Sequence, residues 1–185
     1  LITSSAASDV YKRQAKNGAK VVGIARREDK LKHWCETCEG ETSYYLADVS
    51  NRKNIKNIVL DIIDKEGEPD ILVNAAGINT REHADDVTLE GWDKTLDLNL
   101  STPFFMAQSV IEGMKKKNWG RIINYASLAS RRALPSSISY GASKGGIEQL
   151  TRAMAEAWSK YGINTNAIAP GSVSYTHLRA HETTN

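Results

Sequence analysis

Two cysteines, Cys35 and Cys38, occur in 185 residues, so no disulfide framework is implied and a reducing, cytoplasmic compartment fits. No apolar run is long enough to span a bilayer, and no charged start, apolar middle and small-residue cleavage site marks a secretory signal. Neither sign of charge dominates: 24 basic and 22 acidic side chains leave a formal net charge of +2. That balance gives no footprint for nucleic acid or an anionic membrane surface. No internal repeat and no long linker is found. The composition, 41% hydrophobic and 25% charged, is that of one soluble globular domain.

The two ends match no expected element of a fold. The opening SSAASDVYKRQ and the closing VSYTHLRAHET read as translated sequencing adapter. DVYKRQ is encoded by GATGTGTATAAGAGACAG, and the reverse complement of that string, read in one frame, gives V-S-Y-T-H, which is Val173 to His177. One inverted repeat thus accounts for both ends. Residues 1–14 and 172–185 are therefore expected to be non-native and the domain to cover residues 15–171. His177 and His181 are spaced like a metal-binding pair, but inside such a tail they carry no metal site.

Between the ends, short apolar strands alternate with helical patterns. Strands are expected at Lys20 to Ala25, Ser43 to Val49, Asp70 to Val73, Arg121 to Tyr125 and Ile163 to Ile168. Helices are expected around Glu28 to Glu36, from Ile55 through Ile63, from about Thr88 to Lys117, and from about Tyr140 to Lys160. This alternation predicts an α/β fold with a doubly wound parallel sheet covered on both faces. Ligands bind such sheets beyond the carboxyl ends of the strands, where Asp48, Asn74, Ser127 and Pro170 fall.

Tyr140 and Lys144, in Y-G-A-S-K, lie one helical turn apart and share a helix face. A phenol titrates near ~10, and lowering it to ~7 takes about 4 kcal/mol, part of which a neighbouring cation supplies. A serine hydroxyl beside the pair, Ser127, can hold a substrate oxygen. The set suits proton transfer to or from an alcohol or ketone while another group moves a hydride. Asn99 stands four residues before Pro103, which has no N–H to close the helical bond to the Asn99 carbonyl. A kink is expected there, with the Asn99 carbonyl open to a water.

Asp48 after a strand, N-A-A-G at Asn74 to Gly77, Asn99, Ser127, Tyr140, Lys144 and Pro170-Gly171 together resemble the short-chain dehydrogenase/reductase family over residues 15–171. The resemblance implies a Rossmann-like NAD(P)-dependent oxidoreductase that interconverts a secondary alcohol and a ketone. Tyr140 would be the acid/base, and Lys144 would lower its pKa and hold the nicotinamide ribose. Ser127 would orient the substrate oxygen, and Asn99 would complete the set through a water. Asp48 and Val49 would meet the adenine, Asn74, Ala75, Ala76 and Gly77 would line the cofactor cleft, and Pro170 and Gly171 would pack near the nicotinamide. Ala75 departs from the commoner N-N-A-G. The family also implies a homodimer or homotetramer paired through the helices of Thr88–Lys117 and Tyr140–Lys160.

Cofactor choice is read at the end of the second strand, where acids select NAD. Ala25-Arg26-Arg27 offers none before Glu28, and Arg26 favours a 2′-phosphate. NADP is therefore expected, with NAD as the alternative. The substrate is a small-molecule carbonyl or alcohol. Gly77 to Glu82 is similar to sugar-acid dehydrogenases of the family; a 3-oxoacyl thioester reductase and a non-catalytic dinucleotide binder are the alternatives. Cys35-x-x-Cys38 is a lone pair and is read as incidental. The glycine-rich turn that holds a pyrophosphate has no counterpart in the opening residues, so weak dinucleotide binding by this chain is expected.

Overall fold

The computed structural model describes residues 2–3 and 8–171. The chain runs β1 (Ile2–Thr3), α1 (Ser8–Lys16), β2 (Val21–Ala25), α2 (Glu28–Glu36), β3 (Thr42–Leu46), α3 (Ile55–Glu66) and β4 (Ile71–Asn74). It continues through α4 (Leu89–Leu96), a π-helical turn (Asp97–Ser101), α5 (Thr102–Lys117), β5 (Gly120–Tyr125), α6 (Ile138–Trp158) and β6 (Ile163–Ile168). The six strands form one parallel sheet in the order β3-β2-β1-β4-β5-β6. The chain winds outward from β1 to β3 and then outward from β4 to β6, so the order reverses between β1 and β4. Such a reversal opens a crevice at the carboxyl ends of the strands.

Apolar side chains pack both faces, as the unbroken hydrophobicity of β2 and β4 requires. Val59, Leu72, Met106, Val110, Ile122 and Ile163 form the main core with α3, α5 and α6. Tyr11, Ala15, Val21 and Val73 form a smaller cluster on the other face. Gly40 takes φ +131°, and a Cβ there would run into the Ala15 carbonyl, so the α2–β3 turn packs directly on α1.

Several element bounds differ from the expected ones by a few residues. Ile2–Thr3 pairs with both β2 and β4, and Tyr11 is 4% exposed in the smaller cluster, so the described residues of the opening segment pack against the sheet. β3 ends at Leu46 rather than Val49, because the Asp48 carboxylate accepts the Ser50 N–H at 2.9 Å and hydroxyl at 2.7 Å and turns the chain. The bend expected at Pro103 takes the form of the π-turn, with Thr102 Oγ1 donating to Asp97 O at 3.0 Å and Pro103 in the first turn of α5. The closing segment 172–185 lies outside the described residues.

A buried polar chain crosses the core. Asn74 Nδ2 donates to Asn124 Oδ1 (2.9 Å) and to Pro103 O (3.3 Å). Asn124 Nδ2 donates to Thr151 Oγ1 (3.0 Å), which donates to Ile147 O (2.7 Å). β4 and β5 are thereby tied to α5 and α6. Asn124→Ala strands donors and acceptors at full burial, and each buried group so left costs about 1–3 kcal/mol. Urea unfolding of this variant is expected to show a loss of that order; unchanged stability would contradict the role.

Candidate active site

Ser127 follows β5 and opens a single 3₁₀ turn, Leu128–Ser130. Its Oγ accepts the Ala129 N–H at 3.2 Å, and its own N–H donates to Ser130 Oγ at 3.2 Å. Ser130 Oγ in turn donates to Lys144 O at 2.9 Å, so the serine loop is fastened to α6. Tyr140 sits in the first turn of α6, half-buried, with the Lys144 ammonium 5.7 Å from its ring centre. No hydrogen bond commits the Tyr140 hydroxyl, and no acceptor takes the Ser127 O–H proton, among the described residues. These are the free proton-bearing groups of the site.

Lys144 is 6% exposed, and its Nζ donates to Tyr125 O at 2.6 Å. Burial lowers its pKa from 10.5 to about 8. The ammonium is thus held by the β5 carbonyl.

Asn99, 1% exposed in the π-turn, uses its whole amide internally. Its Oδ1 accepts the Ile78 N–H at 2.9 Å; its Nδ2 donates to Ile78 O at 2.8 Å and to Ser143 Oγ at 3.0 Å. Ser143 Oγ then donates to Tyr140 O at 2.7 Å. The side chain of Asn99 therefore braces the β4 loop against α6. Ser143 was not singled out in the sequence; its place between Tyr140 and Lys144 hides a role that only its partner, 44 residues away, discloses.

Gly77 lies against this set: a Cβ there would stand 3.2 Å from Asn99 Oδ1 and 3.6 Å from Lys144 Nζ. Ala75 and Ala76 are half-buried beside it. Asn74 lies deeper, 3% exposed; its amide nitrogen is spent on the core, and its Oδ1 is buried without a partner. At the other end of the sheet Arg26, just past β2, reaches Asp48 at 3.8 Å, and both are exposed. The two Ser50 bonds and the Arg26 charge hold the Asp48 carboxyl below its usual value against the opposing effect of burial. Val49 is buried, its carbonyl accepting from Thr102 Oγ1 at 2.9 Å. Pro170 and Gly171 follow β6, exposed.

Gly77 and Lys144 on one side and the exposed Arg26 guanidinium past β2 are the residues of this crevice that could hold a nicotinamide dinucleotide. Ser4 to Ala7, between β1 and α1, contain no glycine. Cys35 and Cys38 stand apart from the site at the end of α2, and burial raises both thiols. Among the described residues no cluster of three or more metal-ligating side chains occurs.

A family model described as short chain dehydrogenase matches residues 4–185. The NAD-dependent glycerol dehydrogenase of Listeria innocua serovar 6a is 36% identical over 173 residues, covering 91% of this chain and 68% of the relative. The 2-dehydro-3-deoxy-D-gluconate 5-dehydrogenase of Dickeya dadantii is 38% identical over 159 residues, covering 85% and 63%. The crystal structure of a gluconate 5-dehydrogenase from Burkholderia cenocepacia J2315 in complex with NADP and tartrate matches with a TM-score of 0.81 at 29% identity, over 97% of this chain and 73% of that one. This chain thus spans about two thirds of the length of these relatives.

The lowered Lys144 pKa has a consequence for stability. Between pH 8 and 10.5 the unfolded chain still holds a proton that the folded chain has released, so stability rises with pH across that window. Relative to Lys144→Met, the wild type is expected to gain on the order of 3 kcal/mol from pH 7 to pH 10.5. Parallel stability–pH curves for the two proteins would refute a buried, weakly basic ammonium.

Proposed function

This chain belongs to the short-chain dehydrogenase family, and from that premise we propose that it is an NAD(P)-dependent oxidoreductase interconverting a secondary alcohol and a ketone. The observation that carries the reading is the pair of uncommitted hydroxyls, Ser127 and Tyr140, beside a buried lysine. Asn99, Ser130 and Ser143, packed around them, are spent on holding the loops together.

When bound, the nicotinamide cofactor supplies or accepts the hydride. In the reducing direction Tyr140 gives its phenolic proton to the carbonyl oxygen; in the oxidising direction it takes that proton from the alcohol. Ser127 donates to the same oxygen and fixes its position. The Lys144 cation favours the phenolate that Tyr140 becomes after giving up its proton. Asn99 holds Ile78 and Ser143, and through them the approach of the β4 loop to Tyr140. Asp48, Val49, Asn74, Ala75, Ala76, Gly77, Pro170 and Gly171 are proposed to line the cofactor crevice. Asn74 acts from below, its orphaned Oδ1 the group with capacity to spare.

For substrate we propose a sugar or sugar acid. The likeness to the Dickeya and Burkholderia sugar-acid enzymes supports this, as do Arg81 and Arg132, exposed on the two loops that leave β4 and β5. A 3-oxoacyl thioester reductase is the second reading, favoured by exposed Leu134 and Ile138 beside the same site. For cofactor the proposal is NADP, with NAD the alternative. A homodimer or homotetramer and a cytoplasmic location complete it, the latter supported by two free thiols. No helix among the described residues is long and apolar enough to cross a membrane.

The test is oxidation of NADPH and NADH by this chain over a panel of keto sugar acids, simple ketones and 3-oxoacyl thioesters. Tyr140→Phe is expected to lower turnover by at least a hundredfold, in line with the usual contribution of a general acid. Turnover indifferent to that change would sink the mechanism. Arg26→Asp removes the cation paired with Asp48 and sets a second carboxylate beside it. It is expected to shift the kcat/KM ratio toward NADH by tenfold or more, and an unchanged ratio would remove Arg26 from the cofactor site.

A further inference from the structure

We infer that Asn79 is a positioning residue that ties the loop after β4 to the start of the helix carrying Tyr140; the inference rests on the oxidoreductase reading for its kinetic consequence, not for its geometry. The two loops leave neighbouring strands at their carboxyl ends, on the side of the sheet where the site lies. Asn79 Nδ2 donates to Ser137 Oγ at 3.0 Å, across 58 residues of sequence. Ser137 stands immediately before α6, and Tyr140 is three residues further on. A serine there ordinarily accepts an N–H of the first helical turn. Ser137 does not: its Oγ accepts from Asn79 and donates to Pro135 O at 3.2 Å, and α6 begins without a side-chain cap. The cap has been exchanged for a bond between loops.

The backbone conformations support the same assignment. Three residues other than glycine take left-handed φ among the described residues: Arg81 at 56°, Asn118 at 51° and Ser136 at 50°. Asn118 ends α5, an ordinary use of that conformation. Arg81 and Ser136 are the other two, and each lies within two residues of the Asn79–Ser137 bond. Such backbones persist where their surroundings over-determine them. The surroundings are visible here. Asn79 Oδ1 accepts the Arg81 N–H at 3.1 Å, so one amide shapes the turn that carries Arg81 and holds the opposite loop. Ser136 Oγ stands 3.4 Å from His83 Nδ1, a looser second contact across the same gap. Beyond Arg81 the loop is anchored again, because Glu82 accepts from Thr80 Oγ1 (2.8 Å), Thr88 Oγ1 (2.6 Å) and Thr88 N–H (3.2 Å). With Asn99 gripping Ile78 on one side and Glu82 fixed on the other, Asn79 is the point at which the loop meets the wall that faces it.

Asn79 touches no reacting atom in this arrangement; it sets the distance between the loops that a substrate enters between. Its loss is expected to weaken substrate binding more than chemistry. Asn79→Ala and Ser137→Ala should each raise KM about tenfold and leave kcat within about threefold. The pH profile of kcat should not move, and the double variant should be no worse than either single one. Ser137→Thr, which keeps the hydroxyl, should restore KM. Independently of turnover, amide hydrogen exchange over residues 131–139 should accelerate in Asn79→Ala and in Ser137→Ala by the same amount. Equal exchange in wild type and Asn79→Ala, or additive effects in the double variant, would overturn the tie. The exchange comparison decides the tie by itself, whether or not the chain turns over substrate.

Discussion

Keeping the Lys144 ammonium out of water is the constraint around which the site is organised. A cation at 6% exposure survives only with a partner, and Lys144 has the Tyr125 carbonyl at the end of β5. That bond requires α6 to lie at a fixed height against the sheet. Three further bonds set the height: Ser130 Oγ to Lys144 O, Asn99 Nδ2 to Ser143 Oγ, and Asn124 Nδ2 to Thr151 Oγ1. Each comes from a different element, the β5 loop, the π-turn and β5 itself. α6 is consequently located by polar contacts along its inner face as well as by Ile147 and Met154 in the core. Tyr140, in the first turn of the same helix, inherits that position.

The π-turn is the second part of this arrangement. A regular helix from Leu89 to Lys117 would close its bonds four residues apart throughout, and Pro103 forbids one of them. The chain absorbs the defect by widening one turn, and Asn99 in that turn faces inward to Ile78 and Ser143. A helix irregularity that would otherwise be a loss thus supplies a bracing side chain at full burial. Thr102 fixes the far end of the turn by donating to both Asp97 O and Val49 O. Through Val49 the turn is joined to the segment after β3, so that segment and α6 share one support.

Much of this was legible from periodicity. The helix Glu28–Glu36 and the strand Ile163–Ile168 have the bounds expected from the sequence, and the parallel sheet follows from the alternation. The helix irregularity before Pro103 was legible because a missing donor is a local property. What could not be read depends on partners far along the chain. Asn74 looks like a cleft residue in sequence, yet its amide nitrogen serves Asn124 and Pro103 in the core. Ser143 and Asn79 carry no signal at all until residues 44 and 58 positions away are brought beside them. A strand of two residues likewise has no periodicity to speak of, and it is the sheet that shows Ile2–Thr3 between β2 and β4.

The distribution of spent and unspent hydrogen-bonding capacity then separates architecture from chemistry. Asn99, Asn124, Ser130, Ser143 and Thr151 are buried or half-buried, and each has its donors directed at a named acceptor. A polar group satisfied in this way has nothing left for a ligand. Ser127 is different: it accepts one N–H, which holds its oxygen still, while its proton stays free to point at a substrate. Tyr140 is different again, with its ring against the Lys144 cation and its hydroxyl unengaged. Evenly engaged hydroxyls would mark a purely structural network, and free hydroxyls on a mobile surface would be unremarked. Two free hydroxyls on an engaged frame, with a buried cation against the Tyr140 ring, are the arrangement that the proposed transfer of one proton to one oxygen requires.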